Sequence, residues 1–465
     1  MWKVADIVSH TRGCLRQGHP QQEVRGVSTD SRTLRAGELF VALPGARFDG
    51  HQFIAEAVRR GARAVIVAAA RAAALPPVPA EVAVVVVADP LAALQALAQA
   101  RRGTYGGTVI AVTGSNGKTT VKEMTAAVLQ THYPTFKAPA SYNNHIGVPL
   151  ALLQLPSTAQ MAVFELGMNH LGEIRRLCEL VQPHVGVLTN IGLAHVGYLG
   201  SIERIQEAKG ELIEALDASS VAVVNADDPR TLALGRRARG RLVTFGQAVT
   251  AEVRGRLLHD AGLDGFRCLL ELQGTAWEVH VPLPGRHNLS NALAAAAVGL
   301  ALAVPPARIV AGLEAYRGVP GRLTVHRLGE VVVVDDTYNA NPQSMQAALA
   351  FVQRLEGAGR RLAVLGDMLE LGEAAPALHA EIGAVAARSG LAYLITVGPL
   401  ARHMAEGAAA AGMPRPRIVC VEDHEAALAV LRRLLEAGDV VLVKGSRGMA
   451  MERVVQGLGA QGKGH

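Results

Sequence analysis

Short apolar runs alternate along this chain with stretches whose apolar positions recur at helical spacing. In the first hundred residues the runs at 38–43, 64–68 and 82–87 predict strands, and 2–8, 52–60 and 90–102 predict helices. From 108 onward, strand patterns at 108–112, 161–166, 185–190, 221–225 and 241–245 alternate with helical ones. The pattern turns hairpin-like between 251 and 281, then enters an alanine-rich helix after Asn291. Four more strands are predicted at 331–335, 361–365, 392–397 and 440–443. Alternation of this kind implies mostly parallel sheets covered by helices, an α/β fold.

Breaks in the pattern divide the chain into three expected domains. The glycine-rich link Arg101-Arg-Gly-Thr-Tyr-Gly-Gly107 closes a small α/β domain, 1–103. A central parallel-sheet domain, 104–318, runs to Val319-Pro-Gly-Arg322, and an open Rossmann-like sheet fills 319–465. No Gly-x-Gly-x-x-Gly follows the first strand of that last domain, so no dinucleotide is assigned to it. In the first domain, Ser28-Thr-Asp-Ser-Arg32 and the loop 45–51 read as a ligand rim or as ordinary turns.

The chemistry centres on the junction after the strand 108–112. Thr113-Gly-Ser-Asn-Gly-Lys-Thr-Thr120 joins that strand to a helix starting near Lys118. Strand, glycine loop, lysine-hydroxyl pair and helix N-terminus make a phosphate cradle. Gly114, Ser115, Asn116 and Gly117 form the loop, Lys118 neutralises phosphate charge, and Thr119 and Thr120 follow, Thr119 placed to ligate Mg²⁺. The loop is a shortened form, because Val112 stands where the general pattern has its first glycine.

In open parallel sheets, ligands sit beyond the carboxyl ends of the strands. Glu165 and Asn190 close two predicted strands, and His195 follows closely. Glu165 suits a Mg²⁺ ligand or a solvated strand-end carboxylate; His195 suits a ligand or a structural histidine. Asn288 and Asn291 share one helix face, either to read the edge of a base or as an N-cap and its neighbour. Arg322 and Asp336, in the third domain, can reach ribose and phosphates.

Composition changes the picture in three ways. Net charge is +6, but no dense basic run with interleaved aromatics appears, which argues against a nucleic-acid surface. Four dispersed cysteines, no signal-peptide layout and no apolar run of spanning length predict a cytoplasmic protein without membrane insertion. Lysine occurs only at positions 3, 118, 122, 137, 209, 444 and 463 among 46 basic residues, so Lys209 in Ala208-Lys-Gly210 draws notice.

Taken together, these segments resemble the Mur ligases, ATP-dependent amide-forming enzymes of peptidoglycan precursor synthesis. The resemblance covers all three domains. It rests on the phosphate loop, Tyr142-Asn-Asn-His-Ile-Gly-Val-Pro149, Glu165-Leu-Gly-Met-Asn169, Ala194-His195 and Ala208-Lys-Gly210. It continues in Gly285-Arg-His-Asn-Leu-Ser-Asn291, Asp336-Thr-Tyr-Asn-Ala-Asn-Pro342, Val364-Leu-Gly-Asp-Met-Leu-Glu-Leu-Gly372 and Lys444-Gly-Ser-Arg447. The Asp-Thr-Tyr-Asn-Ala-Asn-Pro and Gly-Asp-Met-Leu-Glu-Leu-Gly stretches point to a member that adds D-alanyl-D-alanine to UDP-MurNAc-tripeptide.

That resemblance implies ATP, UDP-MurNAc-tripeptide and D-alanyl-D-alanine as small-molecule ligands, two Mg²⁺, and a monomer. It implies metal contacts from Thr119, Glu165, His195 and a carbamylated Lys209, with Lys118, His195 and Lys209 catalytic. Nucleotide contacts would come from the loop 114–120, Asn288, Asn291, Arg322 and Asp336. Substrate contacts would come from Thr29, Ser31, Asn143, Asn144 and Asn169. Rival readings are a folylpolyglutamate synthase, the diamino-acid-adding ligase, and a nucleotide-driven switch without ligation.

Overall fold

The computed structural model describes residues 2–45, 48–357 and 359–460. Part of the loop 45–51 and Lys463 therefore lie outside the described residues. The chain forms two compact units: 1–111 with 133–167 and 173–184, and 112–132 with 168–172 and 185–465.

The first unit holds a five-stranded sheet of order Cys14–Gln17, Ala83–Val87, Ala64–Ala68, Leu39–Val41, Val27–Ser28. All its neighbours are parallel except the edge strand Cys14–Gln17. Side chains alternate faces along a strand. Leu39, Val41 and Ile66 accordingly join a core with Val4, Ile7, Leu94 and Leu97, while Phe40 and Val65 pack on the other side with Ile54 and Ala57. The expected helix 2–8 begins later, as Val4–Thr11, because the Lys3 N–H donates to Asp6 Oδ2 at its start and Trp2–Lys3 pairs with Glu23–Val24. A parallel pair, Met161–Glu165 with Thr135–Lys137, belongs to the same unit.

In the second unit, Val185–Leu188, Val221–Asn225, Arg241–Gly246 and Val253–Asp260 lie side by side in parallel. Phe266–Leu272 and Thr275–Val281 then add the expected antiparallel hairpins. A second sheet runs Thr324–Leu328, Val331–Asp336, Val440–Lys444, Arg361–Gly366, Tyr393–Val397, Ile418–Val421. Only its edge strand Thr324–Leu328 is antiparallel. Period-two alternation again splits its core: Val333, Leu362, Val364 and Val441 face one side, and Val334, Ala363, Leu365 and Leu442 the other. The helix Lys118–Gln130 packs closely on the alanine-rich helix His287–Ala301 and on Pro306–Ala315. A Cβ on Gly312 would lie only 2.6 Å from Val128 Cα.

Candidate active site

The phosphate loop is shaped by its glycines and held by its neighbours. Gly114 and Gly117 both take positive φ, 148° and 81°, and Gly117 caps the helix Lys118–Gln130. A side chain on Gly117 would collide with Asn291 Oδ1. The predicted strand 185–190 stops at Leu188 because its last two residues turn to brace this loop. The Ser115 N–H donates to the Asn190 carbonyl (2.8 Å) and the Asn116 N–H to Asn190 Oδ1 (2.9 Å). Thr189 Oγ1 and Asn190 Nδ2 both donate to the Asn116 carbonyl, at 2.6 and 3.1 Å. The first N–H groups of a helix have no intrahelical acceptor, so the start of Lys118–Gln130 offers donors to an anion.

Two lysines converge on this loop. Lys118 Nζ donates to the carbonyls of Gly114 (2.8 Å) and Ser115 (3.2 Å). Lys209, on the helix Ile202–Glu214, is 1% exposed and donates from Nζ to the same Gly114 carbonyl at 2.9 Å. Burial, and then the neighbouring Lys118 ammonium, push the Lys209 amine well below its ordinary range. His195 Nδ1 lies 2.9 Å from Glu370 Oε2, although its alignment falls short of a hydrogen bond. Burial lowers the His195 pKa, Glu370 opposes that shift, and Lys118 and Lys209 reinforce it. The imidazole is therefore held toward its neutral form, the form that ligates metals and accepts protons.

Residues from the last third of the chain meet the loop directly. Arg322 Nη2 donates to Thr119 Oγ1 at 2.8 Å, and the guanidinium lies 4.2 Å from the centroid of the Tyr338 ring. Arg322 Nε is buried with no hydrogen-bond partner among the described residues. An orphaned guanidinium N–H beside a phosphate loop is a feature that an anionic ligand satisfies. Asn116 is gripped twice: Asn341 Nδ2 donates to its Oδ1 and its Nδ2 donates to Gln343 Oε1, both at 2.8 Å. Asn341 also caps the helix Pro342–Gln353. Asp336 forms a 2.6 Å ion pair with the buried Lys444 and accepts from the Leu323 N–H at 3.2 Å.

Other expected site residues fall as follows. Asn288 and Asn291 are buried and joined to each other, Asn291 Nδ2 to Asn288 Oδ1 at 2.8 Å, while Asn288 Nδ2 donates to the Pro284 carbonyl. Neither is the N-cap of its helix, which is Arg286. Thr120 is buried on the helix Lys118–Gln130, and Asn169 is half-buried in a loop. In the first unit, Glu165 is 2% exposed at a strand end and accepts from Asn143 Nδ2 at 2.8 Å. Asn144 Oδ1 accepts from the Ile146 and Gly147 N–H groups where the chain enters the helix Gly147–Leu153. Thr29 is half-buried, and Ser31 is buried with its hydroxyl donating to Glu56 at 2.8 Å.

Sequence reasoning gave no role to Glu370, Asn341, Gln343 or Tyr338. Tyr338, Asn341 and Glu370 lie in stretches that carried the family resemblance, and that was their signal; Gln343 stands one residue beyond such a stretch. Among the described residues no three His, Cys, Asp or Glu side chains gather as a metal cage. Magnesium delivered with a nucleotide takes its ligands mainly from phosphate oxygens and water, plus one or two protein oxygens. The Thr119 hydroxyl beside the loop can supply one such oxygen, whereas a neutral His195 offers a nitrogen, directly or through a metal-bound water.

Comparison with known proteins covers the whole chain. A model of the Mur ligase family catalytic domain matches residues 23–102, one of the Mur ligase middle domain 112–299, and one of the Mur ligase glutamate ligase domain 321–447. The UDP-N-acetylmuramoyl-tripeptide–D-alanyl-D-alanine ligase of Bacillus subtilis (strain 168) is 37% identical over 459 residues, covering 98% of both chains. Among solved structures, MurF from Acinetobacter baumannii has a TM-score of 0.86 at 34% identity over 99% of both chains. MurF ligase from Thermotoga maritima in complex with ADP has a TM-score of 0.79 at 30% identity, covering 95% of this chain and 98% of that one.

Proposed function

We propose, on the premise that this chain belongs to the Mur ligase family, a division of labour among its residues in one amide-forming reaction. The protein is an ATP-dependent ligase that joins D-alanyl-D-alanine to UDP-N-acetylmuramoyl-tripeptide in peptidoglycan precursor synthesis. Among the described residues no helix is long and apolar enough to cross a membrane. We read the enzyme as cytoplasmic and monomeric, with domains 1–103, 104–318 and 319–465 binding the UDP end, ATP and the acceptor dipeptide.

In this reading a carboxylate oxygen of the tripeptide attacks the γ-phosphorus of ATP, and the bond to the bridging oxygen of ADP breaks. The acceptor amine then forms a C–N bond with the acyl phosphate, loses its proton, and phosphate leaves. Catalysis of the first step is positioning and charge stabilisation. Lys118 and the N–H groups at the start of its helix hold the transferring phosphoryl group. Arg322, already on Thr119 and with a spare N–H, binds phosphate from the other side, and Asp336 holds ribose. Asn288 and Asn291 line the nucleotide site behind Gly117.

Thr119, Glu165, His195 and Lys209 are the residues that would hold Mg²⁺, which when bound would neutralise phosphate charge. Lys209 would do so as a carbamate. Thr29 and Ser31 would contact the UDP end, and Asn143, Asn144 and Asn169 the peptide. The observation that carries this reading is the contact of Arg322, Asn341 and Gln343 with Thr119 and Asn116. A phosphate loop assembled jointly with the acceptor-bearing part of the chain suits a two-substrate ligation better than a simple nucleotide switch.

The test incubates purified enzyme with UDP-MurNAc-tripeptide, ATP and D-alanyl-D-alanine, then measures product mass and released phosphate. Stoichiometric product and phosphate are expected. Product with glutamate or a diamino acid in place of the dipeptide, and none with the dipeptide, would overturn the acceptor assignment.

A further inference from the structure

We propose that Glu370 is the positioning residue for His195, fixing which ring nitrogen faces the reaction centre. The inference rests on the reading that His195 serves the ligation. His195 and Glu370 both adopt left-handed backbone, φ 63° and 65°, a conformation uncommon for residues with side chains. They face one another, Nδ1 to Oε2 at 2.9 Å. Their backbones are joined as well, the Gly197 N–H donating to the Glu370 carbonyl at 3.0 Å. A Cβ on Gly197 would lie 2.6 Å from both the Glu370 oxygen and the Gly372 nitrogen, so only glycine permits this approach.

The loop carrying Glu370 is fixed from behind. Its Met368 N–H donates to His379 Nε2 (2.9 Å) and its Leu369 N–H to Ser446 Oγ (2.8 Å). His379 Nδ1 bonds the Ala375 carbonyl at 2.6 Å and so carries the proton. Glu370 is thus held by the last domain while His195 follows a strand of the central one. His195 Nδ1 is buried without a hydrogen bond among the described residues, and Glu370 Oε2, 2.9 Å away, is the carboxylate oxygen that a small rotation of the ring would bring into line with an Nδ1 proton. A proton on Nδ1 leaves the lone pair on Nε2, the arrangement found where a carboxylate orients a ligating or proton-accepting histidine. Correct seating of the last domain thereby sets the orientation of a residue in the central one.

The experiment measures Mn²⁺ affinity by electron paramagnetic resonance in the presence of ADP, together with kcat and KM, for Glu370→Ala, Glu370→Asp and His195→Ala. Glu370→Ala is expected to weaken Mn²⁺ binding and lower kcat by roughly 10–100-fold, with KM for ATP and tripeptide little changed. Glu370→Asp keeps an acceptor oxygen and should recover part of both losses. Combining Glu370→Ala with His195→Ala should be no worse than His195→Ala alone. Unchanged Mn²⁺ affinity in Glu370→Ala beside a clear loss in His195→Ala would overturn the proposal and leave the role of His195 standing. No loss in either variant would overturn both.

Discussion

Lys118 and Lys209 donate to one and the same oxygen, the Gly114 carbonyl, at 2.8 and 2.9 Å. Two ammonium groups this close repel each other, which favours the neutral amine on the more deeply buried of the two, Lys209. Burial is the first cause of the Lys209 shift and the Lys118 ammonium the second.

In the proposed mechanism Lys118 places a fixed positive charge on the transferring phosphoryl group. Lys118→Ala should lower kcat by roughly 10²–10³-fold or more, since a preorganised charge is lost in the transition state. Circular dichroism and thermal melting should show the fold retained, because Lys118 is not part of a hydrophobic core. Near-normal turnover in the folded variant would remove the loop from the mechanism.

The grip on Asn116 gives a second expectation. Gln343→Ala removes one of its two side-chain bonds without disturbing the N-cap at Asn341. A single hydrogen bond of this kind contributes about 0.5–1.5 kcal/mol. Asn341→Ala should cost more, since the cap it provides adds about 1 kcal/mol. Urea unfolding and the KM for ATP are the readouts. Gln343→Ala should raise that KM several-fold while stability falls only slightly. Equal behaviour of the two variants in urea would mean the cap, or the bond, has been misjudged.

How far the sequence foretold this is seen in particular elements. The strand–loop–helix around Lys118 was legible because period-two and helical patterns meet there within a few residues. The strands 64–68 and 221–225 were placed to the residue, since continuous apolar runs bounded by polar turns mark buried parallel strands. Cys14–Gln17, Thr135–Lys137, Thr324–Leu328 and Ile418–Val421 were missed. All are short, half-exposed strands whose pairing comes from a neighbour rather than from local apolar pattern. Asn116 and Gln343 are 227 residues apart in the chain, and no local periodicity encodes such a meeting. Asn288 and Asn291 were correctly placed on one helix face. Their bond to each other depends on burial, which spacing alone does not give.

Burial of Lys209 makes stability depend on pH in a definite sense. Its folded pKa lies below the unfolded value near 10.5. Between the two, the unfolded chain binds the extra proton, so this site destabilises the fold at low pH and ceases to do so as pH rises toward 10.5. In magnesium-free buffer purged of CO₂, Lys209→Met should therefore melt higher than the parent at pH 6.5. The advantage should shrink steadily by pH 9. Differential scanning calorimetry of both proteins across that range is the check. An advantage that grows with pH would reverse the assigned sign.

We propose that the same depressed pKa prepares Lys209 for chemistry that arginine cannot perform. A neutral amine attacks CO₂, a C–N bond forms, one amine proton is lost, and the product is an anionic carbamate. That group brings two oxygens, the ligand type Mg²⁺ prefers, in place of a cation beside Lys118. Arginine at this position would keep its proton and its charge. Lys209→Ala should accordingly be nearly inactive, and Lys209→Arg no better. Added acetate should restore part of the Lys209→Ala activity by supplying a carboxylate in the space left by the side chain. Parent enzyme should lose activity when CO₂ is stripped and regain it with bicarbonate, while Lys209→Ala should respond to neither. Intact mass spectrometry under native conditions at neutral pH should find an added 44 Da, as expected for one CO₂, in the parent and not in Lys209→Ala. An active Lys209→Arg enzyme would sink the carbamate, because no modification of that kind is open to a guanidinium.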